Sequence, residues 1–325
     1  MFIDKQLGQD RKWINIDSDR ITENSYLYKK YDIDKETIEY ALDKNERAHM
    51  DYNRENGTIT FIYNVLNLEK DKEYYETIPM AFIVQDTRLV TISNQENVYI
   101  IEQMMSYLEA HGELSIFKLL FAGLEMISNA YYPIIDRLDK HKDDLNRLLR
   151  KTTTSKNLYA LSDLETGMVY LLAAAKQNRM LLEHIKAHAI YRRMDDIEKE
   201  QFDDAMIEAN QLVSMTELIS NVLQQLSGSY NNILNNNLND NLTTLTIFEA
   251  LLAVLAVITG FFGMNIPLPL TQDPNAWIYV SVCSFILWLL LAKVMRWIVK
   301  KKKKRGLEKS EPLSYLKYTE KIGSI

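Results

Sequence analysis

Glu249 is the one charged residue in an apolar run, Leu245 to Phe262 (LTIFEALLAVLAVITGFF). A carboxylate in such surroundings is costly, and by default it marks function. The run leads straight into Gly263-Met264-Asn265. That tripeptide offers a neutral carboxamide to a polar ligand, but Gly and Asn also serve as a plain helix C-cap. Further acidic chemistry is concentrated in Met194 to Ala205 (MDDIEKEQFDDA). It reads either as a cation site or as a solvated helix face. His184 and His188 stand four apart, a spacing that lets two imidazoles share a transition metal on a helix, yet no third ligand is evident nearby. Lys300, Lys301, Lys302, Lys303, Lys304 and Arg305 form an unbroken basic run.

Other chemistries are excluded. There is no Walker loop, no Gly-x-Ser-x-Gly and no zinc-protease motif. Cys283 is the only cysteine, so no intramolecular disulfide and no cysteine zinc cluster can form. The chain reads as a non-enzyme. Without a nucleotide site, any transport it performs runs down the electrochemical gradient.

The elements that carry these residues divide the chain of 325 residues unevenly. Residues 1–292 hold 27 Lys and Arg against 41 Asp and Glu, a net charge of −14; residues 293–325 hold 11 against 3, a net of +8. One short basic terminus on an acidic body does not describe a nucleic-acid binder. Leu245–Phe262 and Trp277–Val299 each approach the roughly 20 apolar residues that cross a bilayer. Trp277, Tyr279 and Trp297 flank the second as interfacial anchors. The connection between them carries no Lys or Arg, whereas the basic run follows the second span. The positive-inside rule therefore puts the loop outside and both termini in the cytoplasm of a plasma-membrane protein, with membrane lipid as a partner. The basic run also reads as a stop-transfer and headgroup anchor. The N-terminus has no signal-peptide core, so a cytosolic domain is expected.

Within that domain, residues 1–113 read as mixed α/β. Thr58–Leu66 and Met80–Ser93 are β-branched and aromatic, with a hairpin tip at Asp86-Thr87. Residues 114–193 read as antiparallel helices, about 114–151 and 158–189, broken at Thr152-Thr153-Thr154-Ser155. Residues 194–262 read as one stalk helix running into the first span, about 243–262, and close to 100 Å long if continuous. An external loop (263–276), the second span (277–299) and a basic tail (300–325) follow. The segment Asn231–Asn241 (NNILNNNLNDN) is favoured as a polar helix lining a wet space; a loop or hinge is the alternative. Two spans cannot enclose a water-filled path, so transport implies a symmetric homo-oligomer.

Gly263-Met264-Asn265 at the outer end of the first of two C-terminal spans, after a long helix and before a short loop and basic tail, resembles the CorA family of divalent-cation channels and transporters. The resemblance is sharpest from Phe202 to Arg305. It implies an α+β cytosolic domain of αβα layering, a long stalk helix and two C-terminal transmembrane helices, assembled as a homopentameric funnel. It also implies passive transport of Mg²⁺, extending to Co²⁺ and Ni²⁺, with Mg²⁺ both cargo and regulator. Gly263, Met264 and Asn265 become the selectivity site. Mg²⁺ dehydrates reluctantly, so a ring of neutral carboxamides suits capture of the hydrated ion and its release.

Counting inward, Asn239 falls where the family has a pore asparagine. Helical periodicity then places Leu242, Leu245, Thr246, Glu249, Ala253, Ala256 and Gly260 along the pore. Leu242 and Leu245 suit a gate that closes by dewetting. Asp204, with Asp203 beside it, matches the stalk carboxylate that the family uses for intracellular Mg²⁺ sensing, and the Lys300–Arg305 run matches its basic collar. Glu249, Thr243 in place of a usual Lys, and a loop whose one acidic residue is Asp273 depart from the family pattern. Glu249 on the axis attracts cations; off the axis it snorkels or pairs with a lysine. The alternatives are a ZntB-like zinc or proton-coupled transporter on the same fold, and a non-conducting membrane-tethered sensor.

Overall fold

The computed structural model describes residues 2–8, 10–20, 26–69, 74–264 and 274–309. It contains two compact units, Met1–Tyr230 and Asn231–Ile325.

The first unit is built on strands β1 (Ile3–Gln6), β2 (Lys12–Asp17), β3 (His49–Tyr52), β4 (Ile59–Leu66), β5 (Thr77–Gln85) and β6 (Arg88–Ser93). They form one sheet in the order β1-β2-β6-β5-β4-β3, in which β2 and β6 are parallel and the other pairs antiparallel. Asp86 and Thr87 turn between β5 and β6 as expected. Gly57 takes φ +70° in the turn between β3 and β4, a left-handed conformation that glycine adopts without strain.

The helices are α1 (Tyr26–Lys30), α2 (Lys35–Leu42), α3 (Val98–His111), α4 (Ile116–Lys151), α5 (Ser155–Ala187) and α6 (Ala189–Arg193), followed by α7 and α8 below. Alternation along the strands sends the two faces of the sheet to two cores. Phe61, Tyr63, Val65, Met80 and Phe82 join α3, α4 and α5 in the larger core. Ile62, Ala81, Ile83, Ile14 and Ile16 meet Tyr28 of α1 and Ile38 of α2 in the smaller one. The unit is thus layered α, β, α.

Three strands went unseen in the sequence. β1 and β3 are four-residue edges. β2 (KWINID) is interrupted by Asn15, which is wholly buried. A polar ladder across the parallel pair explains it: Trp13 Nε1 donates to Thr91 Oγ1 (3.1 Å), Thr91 Oγ1 to Asn15 Oδ1 (2.8 Å), and Asn15 Nδ2 to Ser93 Oγ (2.9 Å).

A second buried network joins the sheet to α5. β3 pairs β4 only up to Ile62, so Asn64 has no strand on that side. Asn178 of α5 stands in for it: Asn64 N donates to Asn178 Oδ1, and Asn178 Nδ2 donates to Asn64 O, both at 2.8 Å. Tyr131 O–H also reaches Asn64 O, at 2.9 Å. Asn178→Ala orphans a buried amide N–H and removes both bonds, so it is expected to lower stability by about 2–3 kcal/mol. The change reads out as a lower denaturation midpoint of the purified chain, and an unmoved midpoint would contradict it.

α4 ends at Lys151 and α5 begins at Ser155, with Thr154 Oγ1 capping Asn157 N. The break expected at Thr152–Ser155 is therefore where the chain turns. α5 stops at Ala187, and the extended His188 starts the short α6.

α7 (Asp196–Phe262) is one helix of 67 residues and includes the Asn-rich segment. Its start is a reciprocal capping box: Glu198 N donates to Asp195 Oδ1 (2.8 Å), and Asp195 N to Glu198 Oε2 (3.1 Å). Within the first unit Phe202, Ala205, Ala209, Leu212, Val213 and Leu223 bury along it. Tyr230 O–H closes this stretch on Asn146 Oδ1 at 2.9 Å. α8 spans Ala276–Lys309 and runs through the basic residues. α7 and α8 each contain a window long and apolar enough to cross a membrane.

Candidate functional site

In the second unit, α7 presents two different stripes. Leu251 is buried, and Val254, Leu255 and Ile258 are half-buried at helical spacing. Ile258 and Phe262 line an apolar groove of about 260 Å³ with Tyr279, Val280, Cys283, Ser284 and Leu287 of α8. This is the α8-facing side. Asn239, Leu242, Leu245, Thr246, Glu249, Ala253, Ala256 and Gly260 are all exposed. At about 100° per residue they fall on the other side of the helix from the α8-facing stripe.

The threonines near this stripe turn inward on their own helix. The hydroxyls of Thr243, Thr246 and Thr259 donate to the carbonyls of Asn239, Leu242 and Leu255, at 2.8, 2.9 and 3.0 Å. Their oxygens keep lone pairs for water while the backbone holds the proton.

The end of α7 clarifies Gly263. Its N–H donates to Thr259 O (3.0 Å), and Met264 N–H to Phe261 O (3.4 Å), so the last turn tightens. Gly263 is not among the positive-φ glycines, so it is not a left-handed cap. Instead, a Cβ there would come within 3.1 Å of Thr259 O. The glycine gives room rather than a special backbone angle. Asn265, the third residue of the signature, lies outside the described residues, as does the loop through Asp273. At the other end of α8, Lys301 Nζ sits over the Trp297 ring at 4.8 Å. Lys300, Lys302, Lys303, Lys304 and Arg305 continue the helix, but their side chains lie outside the described residues.

In the first unit the acidic run resolves into separate roles. Asp195 and Glu198 cap α7, as above. Asp196 pairs with Lys199 at 3.9 Å. Asp203 pairs with Lys186 of α5 at 3.4 Å, both side chains being 52% exposed, so the pair adds about 0–1 kcal/mol. Asp204 is exposed and carries no ion pair to a described residue. It lies beside Glu125 of α4 and Glu208 of α7, close enough for its charge to act on Glu125. Glu208 Oε2 accepts from Tyr132 O–H (2.8 Å), and Glu125 Oε2 from Gln201 Nε2 (2.7 Å).

Glu125 and Glu208 went unremarked in the sequence. The available signals were Glu125 as the lone charge in Leu119–Ser128 and Glu208 one helical turn after Asp204. Among the described residues, no group of three or more His, Cys, Asp or Glu is arranged to hold a metal ion. His184 and His188, whose spacing lacked a third ligand in the sequence, do not share one helix: α5 ends between them, and the His188 ring packs edge-on against Tyr52 at 5.3 Å.

Burial, and then the charges of Asp204 and Glu208, raise the Glu125 carboxyl above its ordinary value; the Gln201 bond opposes this. The folded chain therefore keeps the Glu125 proton to higher pH than the unfolded chain. Stability is lost as pH rises from the ordinary glutamate value through the raised one. Glu125→Gln removes that loss. In thermal unfolding across a pH series, variant and parent should coincide in acid, and the variant should pull ahead as pH rises to neutral. A gap that is equally large in acid would contradict this.

A profile of the CorA-like Mg²⁺ transporter protein family matches residues 8–301. The cobalt/magnesium transport protein CorA of Methanocaldococcus jannaschii is 22% identical over 290 residues, 87% of this chain and 89% of that protein. The complete structure of the CorA magnesium transporter from the same organism aligns with a TM-score of 0.70 at 21% identity, over 89% of this chain and 90% of that one. The ZntB cytoplasmic domain from Vibrio parahaemolyticus aligns less well, with a TM-score of 0.52 at 10% identity, over 70% of this chain and 89% of that one. The structural likenesses speak to the fold.

Proposed function

From the premise that the chain belongs to the CorA-like Mg²⁺ transporter family, we propose that it carries Mg²⁺ passively across the plasma membrane through a homopentameric pore. Co²⁺ and Ni²⁺ are further cargo, and intracellular divalent cation closes the pore. One observation carries the reading: the exposed stripe of α7 from Asn239 to Gly260 is the side that α8 leaves uncovered. Five copies arranged with that stripe inward and α8 outward enclose a wet path.

In this arrangement Asn265, with Gly263 and Met264, holds the hydrated ion at the outer end. Its carboxamides accept hydrogen bonds from the ion's bound waters, so the inner hydration shell stays on. Asn239 does the same at the cytosolic end. Between them Leu242 and Leu245 form the narrow apolar ring, and Ala253 and Ala256 leave a wider neck. Asp204, with Asp203 beside it, meets carboxylates of the adjacent subunit across a cation. When the cation leaves, the like charges repel and the subunits separate. The basic residues from Lys300 to Arg305 collar the stalk, and both termini stay cytoplasmic.

Glu249 favours a second reading, proton-coupled transport of a divalent ion such as zinc. It is an exposed carboxylate on the same stripe, about one helical turn inside the apolar window that begins at Leu245. Uptake of Mg²⁺, Co²⁺, Ni²⁺ and Zn²⁺ into proteoliposomes carrying a lumenal pH dye separates the two. The proposal predicts Mg²⁺ uptake without a coupled pH change. Zn²⁺ uptake that moves protons, with no Mg²⁺ uptake, would replace it with the second reading.

A further inference from the structure

Seven of the eleven residues from Asn231 to Asn241 are asparagine, and α7 passes through them without a break. Asparagine is a poor helix former, disfavoured by about half a kcal/mol per residue against alanine. These side chains offer the helix little in return. Asn231, Asn235 and Asn239 are exposed, and their carboxamides make no hydrogen bond to another described residue. Local stability therefore does not explain them.

Their spacing does. Asn231, Asn235 and Asn239 stand four apart, and the next residues on that face are Leu242 and Thr246. At about 100° per residue all five fall in a sector about 80° wide. Ile233, Leu234 and Asn237 point at least about 100° away from its centre. Asn231 to Asn239 covers about 12 Å of helix at about 1.5 Å per residue. Asp240, the one charge in the segment, is also off this face by the same count.

We infer that Asn231 and Asn235 extend the ion path inward from Asn239 as two further carboxamide rings, forming a ladder for a hydrated divalent cation. The inference rests on the pore reading of α7 given above. Each carboxamide oxygen accepts from a water of the ion's shell, and each ring is neutral. A neutral ladder lets the ion step from ring to ring about 6 Å apart without being trapped, unlike a ladder of carboxylates. Below Leu242 the apolar side chain nearest the face is the exposed Leu238, which stands about 60° from its centre and outside the sector, so the sector itself carries only carboxamides there. The cargo class this selects is a divalent cation that keeps its waters, Mg²⁺ before all.

The test is Mg²⁺ uptake by the full chain in proteoliposomes. Asn231→Ala/Asn235→Ala is expected to slow uptake about tenfold, through loss of water-bridged bonds at two rings. Alanine is the better helix former, so the helix is not weakened. Asn231→Gln/Asn235→Gln keeps the carboxamides and should retain most of the uptake. Asn237→Ala, off the face, should match the parent. A conducting parent with an equally conducting Ala pair overturns the ladder and leaves the pore reading standing. An equal loss in the Gln pair or in Asn237→Ala also overturns it. A parent that assembles but does not conduct overturns both.

Discussion

Asn265→Ala is expected to cut Mg²⁺ uptake by about a hundredfold while assembly and thermal stability stay unchanged. The residue follows Gly263 and Met264, where α7 tightens into its last turn and ends. In the proposed pore, five carboxamides meet there and hold the waters of one ion. Each water-bridged bond contributes about 0.5–1.5 kcal/mol. Losing about 2.7 kcal/mol across the ring corresponds to a factor of about a hundred. Asn265→Gln keeps the chemistry but moves the oxygen by one methylene, so an intermediate rate is expected. Asn265→Asp should hold the ion more tightly and slow its exit. Uptake by Asn265→Ala within a factor of two of the parent would remove the residue from the ion path.

Phe202→Ala is expected to destabilise the first unit by about 3–5 kcal/mol, the usual loss for a large aromatic taken from a closed core. Phe202 is fully buried. It meets Phe121 of α4 edge-on at 5.1 Å and 79°, and Tyr191 of α6 at 5.1 Å and 63°. It fastens the start of α7 to the helices beneath it, two residues before Asp204. Its loss leaves a cavity and lets Asp204 and Glu208 of α7 drift from Glu125 of α4. A drop in melting temperature of roughly 10 °C should follow. Phe202→Leu, which keeps most of the volume, should cost well under half as much. A shift below about 2 °C for the alanine variant would mean that the site collapses around the gap, contrary to the tight packing described.

The long helices were the most legible part of the sequence. Their apolar spacing repeats over many turns, and the Thr152–Ser155 break supplies cap chemistry. The β5–β6 hairpin was legible because both strands are rich in apolar and β-branched residues and a short polar turn separates them. β2 was not, because its buried Asn15 has a partner only on β6, more than 70 residues away. No local pattern shows such a partner. The kink at His188 was hidden for a related reason: nothing near it in sequence breaks a helix, and it is Tyr52 of β3 that receives the ring.

The candidate site was half legible. The stripe from Asn239 to Gly260 came from the family resemblance, which set Asn239, and from helical counting onward from it, but only α8 shows which side of the helix is covered. The acidic run looked uniform as sequence. Folded, it divides into a helix cap, two ion pairs and two exposed carboxylates, Glu200 and Asp204, with no ion pair to a described residue, and the acidic neighbours of Asp204 come from α4 and from one turn further along α7. Gly263 could be read as a left-handed helix cap from its type alone; the backbone shows that it is not one, and a Cβ there would come within 3.1 Å of Thr259 O.

The most direct measurement is Mg²⁺ uptake into proteoliposomes of the assembled chain at a series of imposed potentials. An inside-negative potential drives a divalent ion by about 4.6 kcal/mol per 100 mV, twice the single-charge value. The account predicts uptake that rises with that potential, needs no pH gradient or nucleotide, and falls when Mg²⁺ is raised on the side of the soluble unit. Assembled protein that takes up no more Mg²⁺ than empty liposomes at any potential would contradict it.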